Sequence, residues 1–163
     1  MQMKTEETTK CFLEHLEVER NVSRFTIRNY KHYLNRLSGW LLKHKGAEFT
    51  IEDLILDDVR QFRLYLARLA GPQGKRLSLV TQAYHVIALR SLLKWMIKQD
   101  IQVLAPEKID VPAGESRSLK FLNREQVERL LTAPGISEPA GLRDKAILET
   151  LFSTGLRGSE LVS

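Results

Sequence analysis

The stretch Ser23 to Lys43, SRFTIRNYKHYLNRLSGWLLK, decides how the rest of the chain is read. Ser23 is a good helix N-cap, because its hydroxyl can accept a bond from one of the unpaired N–H groups of a first turn. Behind it Ile27, Tyr30, Leu34, Leu37 and Leu41 recur at spacings of three and four, which places them on one face of a helix. Arg24, Arg28, Lys31 and Asn35 form a separate stripe about a quarter-turn round. One face packs on a core, and the neighbouring face is free to meet an anion.

The same period extends outward in both directions. Residues 5–19 place Phe12, Leu13, Leu16 and Val18 among acids, a short amphipathic helix. Gly46 is expected to end the Ser23 helix, and Asp57 or Asp58 to begin a third through Val59, Phe62, Leu66 and Leu69, with Gly71-Pro72 as its stop. A fourth helix is expected from about Ser78 to Gln99, with Val80, Tyr84, Ile87, Ser91 and Trp95 on one side and Arg90, Lys94 and Lys98 stacked on another. Four helices joined by short loops predict an all-α domain over residues 1–100. Residues 101–120 lose the period and gain Pro106, Pro112 and Gly114, the composition of a linker. Residues 121–163 are expected to form a further helical piece. Asn123 and Gln126 make a capping box there, a second helix spans about 141–153, and Gly155 supplies its left-handed turn.

The formal net charge of +5 understates how the charge is distributed. Residues 20–47 hold seven basic residues, Arg20, Arg24, Arg28, Lys31, Arg36, Lys43 and Lys45, and no acid. Residues 71–99 hold Lys75, Arg76, Arg90, Lys94 and Lys98, again with no acid. Between them, residues 48–58 carry five acids and no base. Lys and Arg often do no more than solvate helix faces. Two acid-free segments in a chain with 20 acids point instead to a polyanion, with phosphate neutralisation and counterion release supplying most of the affinity.

Other classes are excluded or disfavoured by composition. Cys11 is the sole cysteine, so neither an intrachain disulfide nor a cysteine-based metal site is available. His15, His32, His44 and His85 have no ligand-like spacing and read as surface or boundary residues, so no metal and no cofactor is expected. The longest uncharged stretch, Leu77 to Leu89, is interrupted by Ser, Thr, Gln and His, so a membrane span is not expected and the protein is placed in the cytoplasm.

Thr150 to Leu161, TLFSTGLRGSEL, reads as a helix end, a glycine turn and a new helix beginning at an arginine. An arginine there offers a planar fork of donors beside free backbone N–H groups, an arrangement suited to phosphate. The segment resembles the first catalytic box of the tyrosine recombinases, the phage integrases and Xer-type enzymes, which has the pattern T-G-L-R-x-S-E-L. Ser23, Thr26, Arg28 and Tyr30 are similar to the S-x-x-T-x-x-x-Y signature of the same family. Gly158 departs from the β-branched or aliphatic residue usual in the box.

The resemblance implies a four-helix SAM-like core-binding domain that clamps double-stranded DNA, then a linker and the first part of a catalytic domain. It implies that Arg157 holds the scissile phosphate, supported by Glu160. With the charge pattern, it implies that Ser23, Arg24, Thr26, Arg28, Lys31, Lys75, Arg76, Arg90 and Lys94 face DNA. The family cleaves and rejoins DNA through a phosphotyrosine without metal or nucleotide cofactor. Its lysine, H-x-x-R pair and nucleophilic tyrosine lie downstream of the arginine, so the chain as it stands is expected to bind DNA without catalysis. It is expected to be a monomer in solution that meets other recombinase protomers on DNA. Two alternatives remain open: a stand-alone helical DNA-binding accessory module, and a helical protein-interaction domain.

Overall fold

The computed structural model describes residues 5–70, 74–111 and 121–163. The chain divides into two compact units, Met1–Glu115 and Ser116–Ser163.

Unit 1 is built from α1 (Thr5–Val18), α2 (Arg24–Lys45), α3 (Leu56–Arg68) and α4 (Leu79–Lys98), followed by a 3-10 turn at Pro106–Lys108. Among the described residues there is no strand, only an isolated antiparallel bridge between Ala70 and Arg76. The two long helices start alike. Ser23 accepts from the Thr26 N–H at 3.3 Å and Ser78 accepts from the Thr81 N–H at 3.2 Å, each supplying one of the partners that a first turn lacks. The third helix uses a different device. It starts at Leu56, and Asp58 reaches back from within the first turn to accept from the Ile55 N–H at 3.1 Å. Gly46, at φ 94°, ends α2.

α4 packs against α1, α2, α3 and the 3-10 turn, and so lies at the centre of the unit. The core joins Phe12 of α1, Leu34, Leu37, Trp40 and Leu41 of α2, Val59, Phe62 and Leu66 of α3, and Val86, Leu89, Leu92, Leu93 and Met96 of α4. Ile51 and Leu54 enter it from the loop before α3, which is folded back by Asp53. That carboxylate accepts from both the Thr50 N–H at 2.9 Å and the Thr50 hydroxyl at 2.8 Å.

Two sequence expectations, on His85 and on residues 101–111, are corrected in unit 1. The covered side of α4 carries Val86, Leu89, Leu92 and Met96, while Tyr84, on the side with Val80 and Ile87, is 49% exposed. The segment is apolar on almost every side, so two stripes compete, and the one that meets three other helices is the one that is covered. His85 is no boundary residue; it is 2% exposed. Residues 101–111, read as linker, pack on the helical unit through Ile101, Val103, Leu104 and Val111, with Pro106 and Ile109 buried. The rest of the expected linker, 112–120, and Gly71-Pro72 lie outside the described residues.

Unit 2 holds α5 (Arg124–Thr132), α6 (Pro139–Thr154) and α7 (Gly158–Leu161). Asn123 and Gln126 form the expected reciprocal cap, at 2.8 and 2.9 Å. α5 packs on α6, which begins two residues before the expected Gly141 because Pro139 fits the first helical position. Gly155 at φ 68° makes the left-handed turn that closes α6, its N–H donating to the Leu151 carbonyl at 3.0 Å. None of the described residues of unit 2 is buried.

Candidate nucleic-acid interface

The helix α2 presents a basic face with little to neutralise it. Arg24, Arg28, Lys31 and Asn35 are all exposed, and among the described residues no ion pair involves any of the three cations. Arg28 lies over the exposed Phe25 ring, 5.4 Å from its centroid. Ser23 and Thr26 are engaged with each other, their hydroxyl oxygens 3.0 Å apart. Their first duty is therefore to fix the start of α2, and any contact with a ligand would use the lone pairs and hydrogens that remain.

α2 and α4 run antiparallel, as paired contacts along them show. The Tyr30 hydroxyl meets Ser91 at 3.4 Å, and Arg36 meets His85 at 3.0 Å further along. This brings Thr26 and Lys94 to the walls of one cleft of about 340 Å³, floored by Phe12, Tyr30 and Trp95. Arg20 and Lys98, not singled out from the sequence as site residues, line the same cleft. Their membership of acid-free segments was the available signal.

The remaining expected contacts are placed differently. Arg90 is half-buried, and its Nε is shielded with no partner among the described residues. Lys75 and Arg76 are exposed just before α4. Lys94 is near the other end of that helix, roughly 20 Å away at about 1.5 Å per residue. The structure thus gathers Thr26 and Lys94, aligns Arg24, Arg28 and Lys31, and leaves Lys75 and Arg76 apart from both.

In unit 2, Arg157 stands at the start of α7. Its N–H donates to Glu160 Oε2 at 2.8 Å and its Nη1 donates to Glu160 Oε1 at 3.3 Å. The arginine side chain is 83% exposed, so most of its donors face solvent while Glu160 restrains it. Tyr30, Tyr33, Tyr65 and Tyr84 all belong to helices of unit 1. Among the described residues no cluster of His, Cys, Asp and Glu could hold a metal ion, and no helix is long and apolar enough to cross a membrane.

A family model described as the phage integrase N-terminal SAM-like domain matches residues 10–100. The chain belongs to this phage integrase family. The matched span contains the basic face of α2, the cleft and the whole of α4. Curated relatives include tyrosine recombinase XerC of Bacillus subtilis, 34% identical over 155 residues that cover 94% of this chain and 48% of the relative. XerC of Pelobacter propionicus is 35% identical over 95% of this chain and 49% of its own length, and XerD of Vibrio vulnificus is 31% identical over 93% and 47%. The chain thus spans about half the length of the curated relatives it matches. The fold is shared with the crystal structure of the N-terminal domain of a phage integrase/site-specific recombinase from Haloarcula marismortui. There the TM-score is 0.56 at 16% identity, over 69% of this chain and 99% of the other.

Proposed function

We propose that this chain is the DNA-binding part of a site-specific tyrosine recombinase, and that unit 1 grips double-stranded DNA through α2 and α4. The observation that carries this reading is the unpaired basic stripe of Arg24, Arg28 and Lys31 on a helix whose fold family is that of the phage integrases. Cations with no carboxylate partner keep their charge for phosphate, and each phosphate neutralised releases counterions to solution. Ser23 and Thr26 contribute by setting the angle at which α2 begins. Lys94 adds charge from α4 beside the cleft, Arg90 lies half-buried on the same helix, and Lys75 and Arg76 offer a separate basic point in the loop before it.

In unit 2 the proposed role of Arg157 is to hold the non-bridging oxygens of a DNA phosphodiester and stabilise the charge that builds there during strand exchange. Glu160 holds the guanidinium through its bond to Nη1 and fixes the start of α7 through its bond to the Arg157 backbone N–H. The division into a DNA-binding domain and a catalytic portion follows the two units, with the boundary beyond Val111. In this reading the chain is cytoplasmic, is a monomer free in solution, and meets further recombinase protomers only on DNA.

The test is duplex-DNA binding over a salt series, with Arg24, Arg28 and Lys31 reversed to Glu alongside. Binding whose logarithm falls steeply and linearly with log salt, and which collapses in the reversed variant, supports the reading. Binding that is absent, or indifferent to salt, defeats it and turns attention to protein partners.

A further inference from the structure

Among the described residues, Arg36 of α2 sets its guanidinium against a buried side chain, and that partner is not an acid. His85, 2% exposed, sits across from it on α4. The His85 Nδ1 lies 2.8 Å from the Thr81 carbonyl and its Nε2 lies 3.0 Å from Arg36 Nη1. A carbonyl can only accept and a guanidinium can only donate, so the two contacts together fix the proton on Nδ1 and leave Nε2 as the acceptor. The ring is held by Tyr33, 4.5 Å between centroids, and by Phe62 at 6.4 Å, so it cannot swing away.

A neutral acceptor does something a carboxylate would not: it anchors one donor of the arginine and leaves the charge intact. Five N–H donors are available to a guanidinium, and this contact uses one. The cleft that Arg36 lines, about 480 Å³, is also lined by His32, Asn35, Lys43, His44 and Tyr65, and no carboxylate lines it. Two cations, an amide and a phenol around an opening without acids match the needs of a phosphodiester. The ordinary alternative is a satisfied core histidine that happens to touch an arginine. Against this, burying an imidazole costs free energy that an isosteric apolar residue would not, which is hard to account for if the site asked only for packing.

We propose that Arg36, with Lys43 beside it, forms a second phosphate-contact point on unit 1, apart from the Arg24, Arg28, Lys31 stripe, and that His85 is the positioning residue that holds the Arg36 guanidinium toward it. This rests on the DNA-binding reading above. The groups facing the imidazole are Arg36, His32 and Tyr33 from α2, Phe62 from α3 and the Thr81 carbonyl from α4.

The experiment measures duplex-DNA affinity of the whole chain across a salt series for the unaltered protein and for Arg36→Gln, His85→Leu and His85→Gln, with far-UV circular dichroism on each. Arg36→Gln is expected to weaken binding several-fold and to lower the salt slope by about 0.9, one phosphate contact. His85→Leu, which packs but cannot accept, is expected to reproduce most of that loss at unchanged helicity, and His85→Gln to recover it through its side-chain carbonyl. A salt slope unchanged in Arg36→Gln while the unaltered protein binds overturns this inference alone. If the unaltered protein does not bind duplex DNA, both readings fall. Should His85→Leu fail to fold, the Arg36→Gln slope still decides the contact, and recovery in His85→Gln relative to His85→Ala decides the positioning.

Discussion

Lys45, the last residue of α2, is ion-paired with Asp58 in the first turn of α3, and the pair spans the whole loop between the two helices. Asp58 is 2% exposed, and both its oxygens are used, one by Lys45 and the other by the Ile55 N–H. The carboxylate is thus both a helix cap and a clasp. Asp58→Ala leaves a half-exposed ammonium without its counter-charge and the Ile55 N–H without its acceptor. The expected cost is about 2–3 kcal/mol. Urea unfolding should show a lowered midpoint with an unaltered slope, and a change under about 0.5 kcal/mol would refute the clasp.

Acidification should destabilise unit 1 through His85. Burial lowers the imidazole pKa from its ordinary 6.5, the Thr81 carbonyl works the other way, and the charges of Arg36 and His32 lower it further. Between the folded and unfolded pKa values the unfolded chain binds the proton and the folded one does not. This stability is therefore fully present above about 6.5 and is lost as pH falls through the folded value. Unfolding measured from neutral to mildly acidic pH should show that loss, and His85→Leu should flatten the curve in the same window.

The two serine caps should be separable from the basic stripe. Ser78→Ala is expected to cost about 1 kcal/mol of stability. Ser23→Ala should cost a similar amount, and under the proposed reading it should also weaken DNA binding by loosening the start of α2. Thermal melts and binding isotherms on the two variants would distinguish them, and equal effects on DNA would argue against a role for the α2 terminus.

Gly155 holds φ at 68°, which a Cβ disfavours, and no atom crowds the position. Gly155→Ala is therefore expected to cost about 1 kcal/mol from backbone conformation alone, and to disturb the approach to Arg157 two residues on. Amide exchange of α6 and α7 should quicken. Unchanged protection would mean that the turn tolerates alanine.

How much of this was readable beforehand depended on how cleanly each segment separates its faces. α2 was legible because its apolar residues and its cations fall on different stripes, and because Ser23 and Gly46 mark its ends. α4 was legible as a helix but not in its orientation, since residues 83–96 offer apolar positions all round and only contact with three other helices selects among them. Pro106, Pro112 and Gly114 made the following segment look like linker. Yet Ile101, Val103 and Ile109 were there to be buried, and alternation over so short a run is a weak signal. Arg36 was counted as one more base because its partner is 49 positions away in sequence, a relationship that no local pattern carries.

The unequal burial of the two long helices bears on which of them can be altered. α4 commits eight side chains to the interior, and α2, two residues longer, commits four. Most substitutions on α4 therefore perturb packing before they reach anything outside, while the outer half of α2 can be rewritten with little penalty to the frame. Anyone seeking to redirect this module toward a new target would randomise the exposed positions of α2 and leave α4 untouched as the keel.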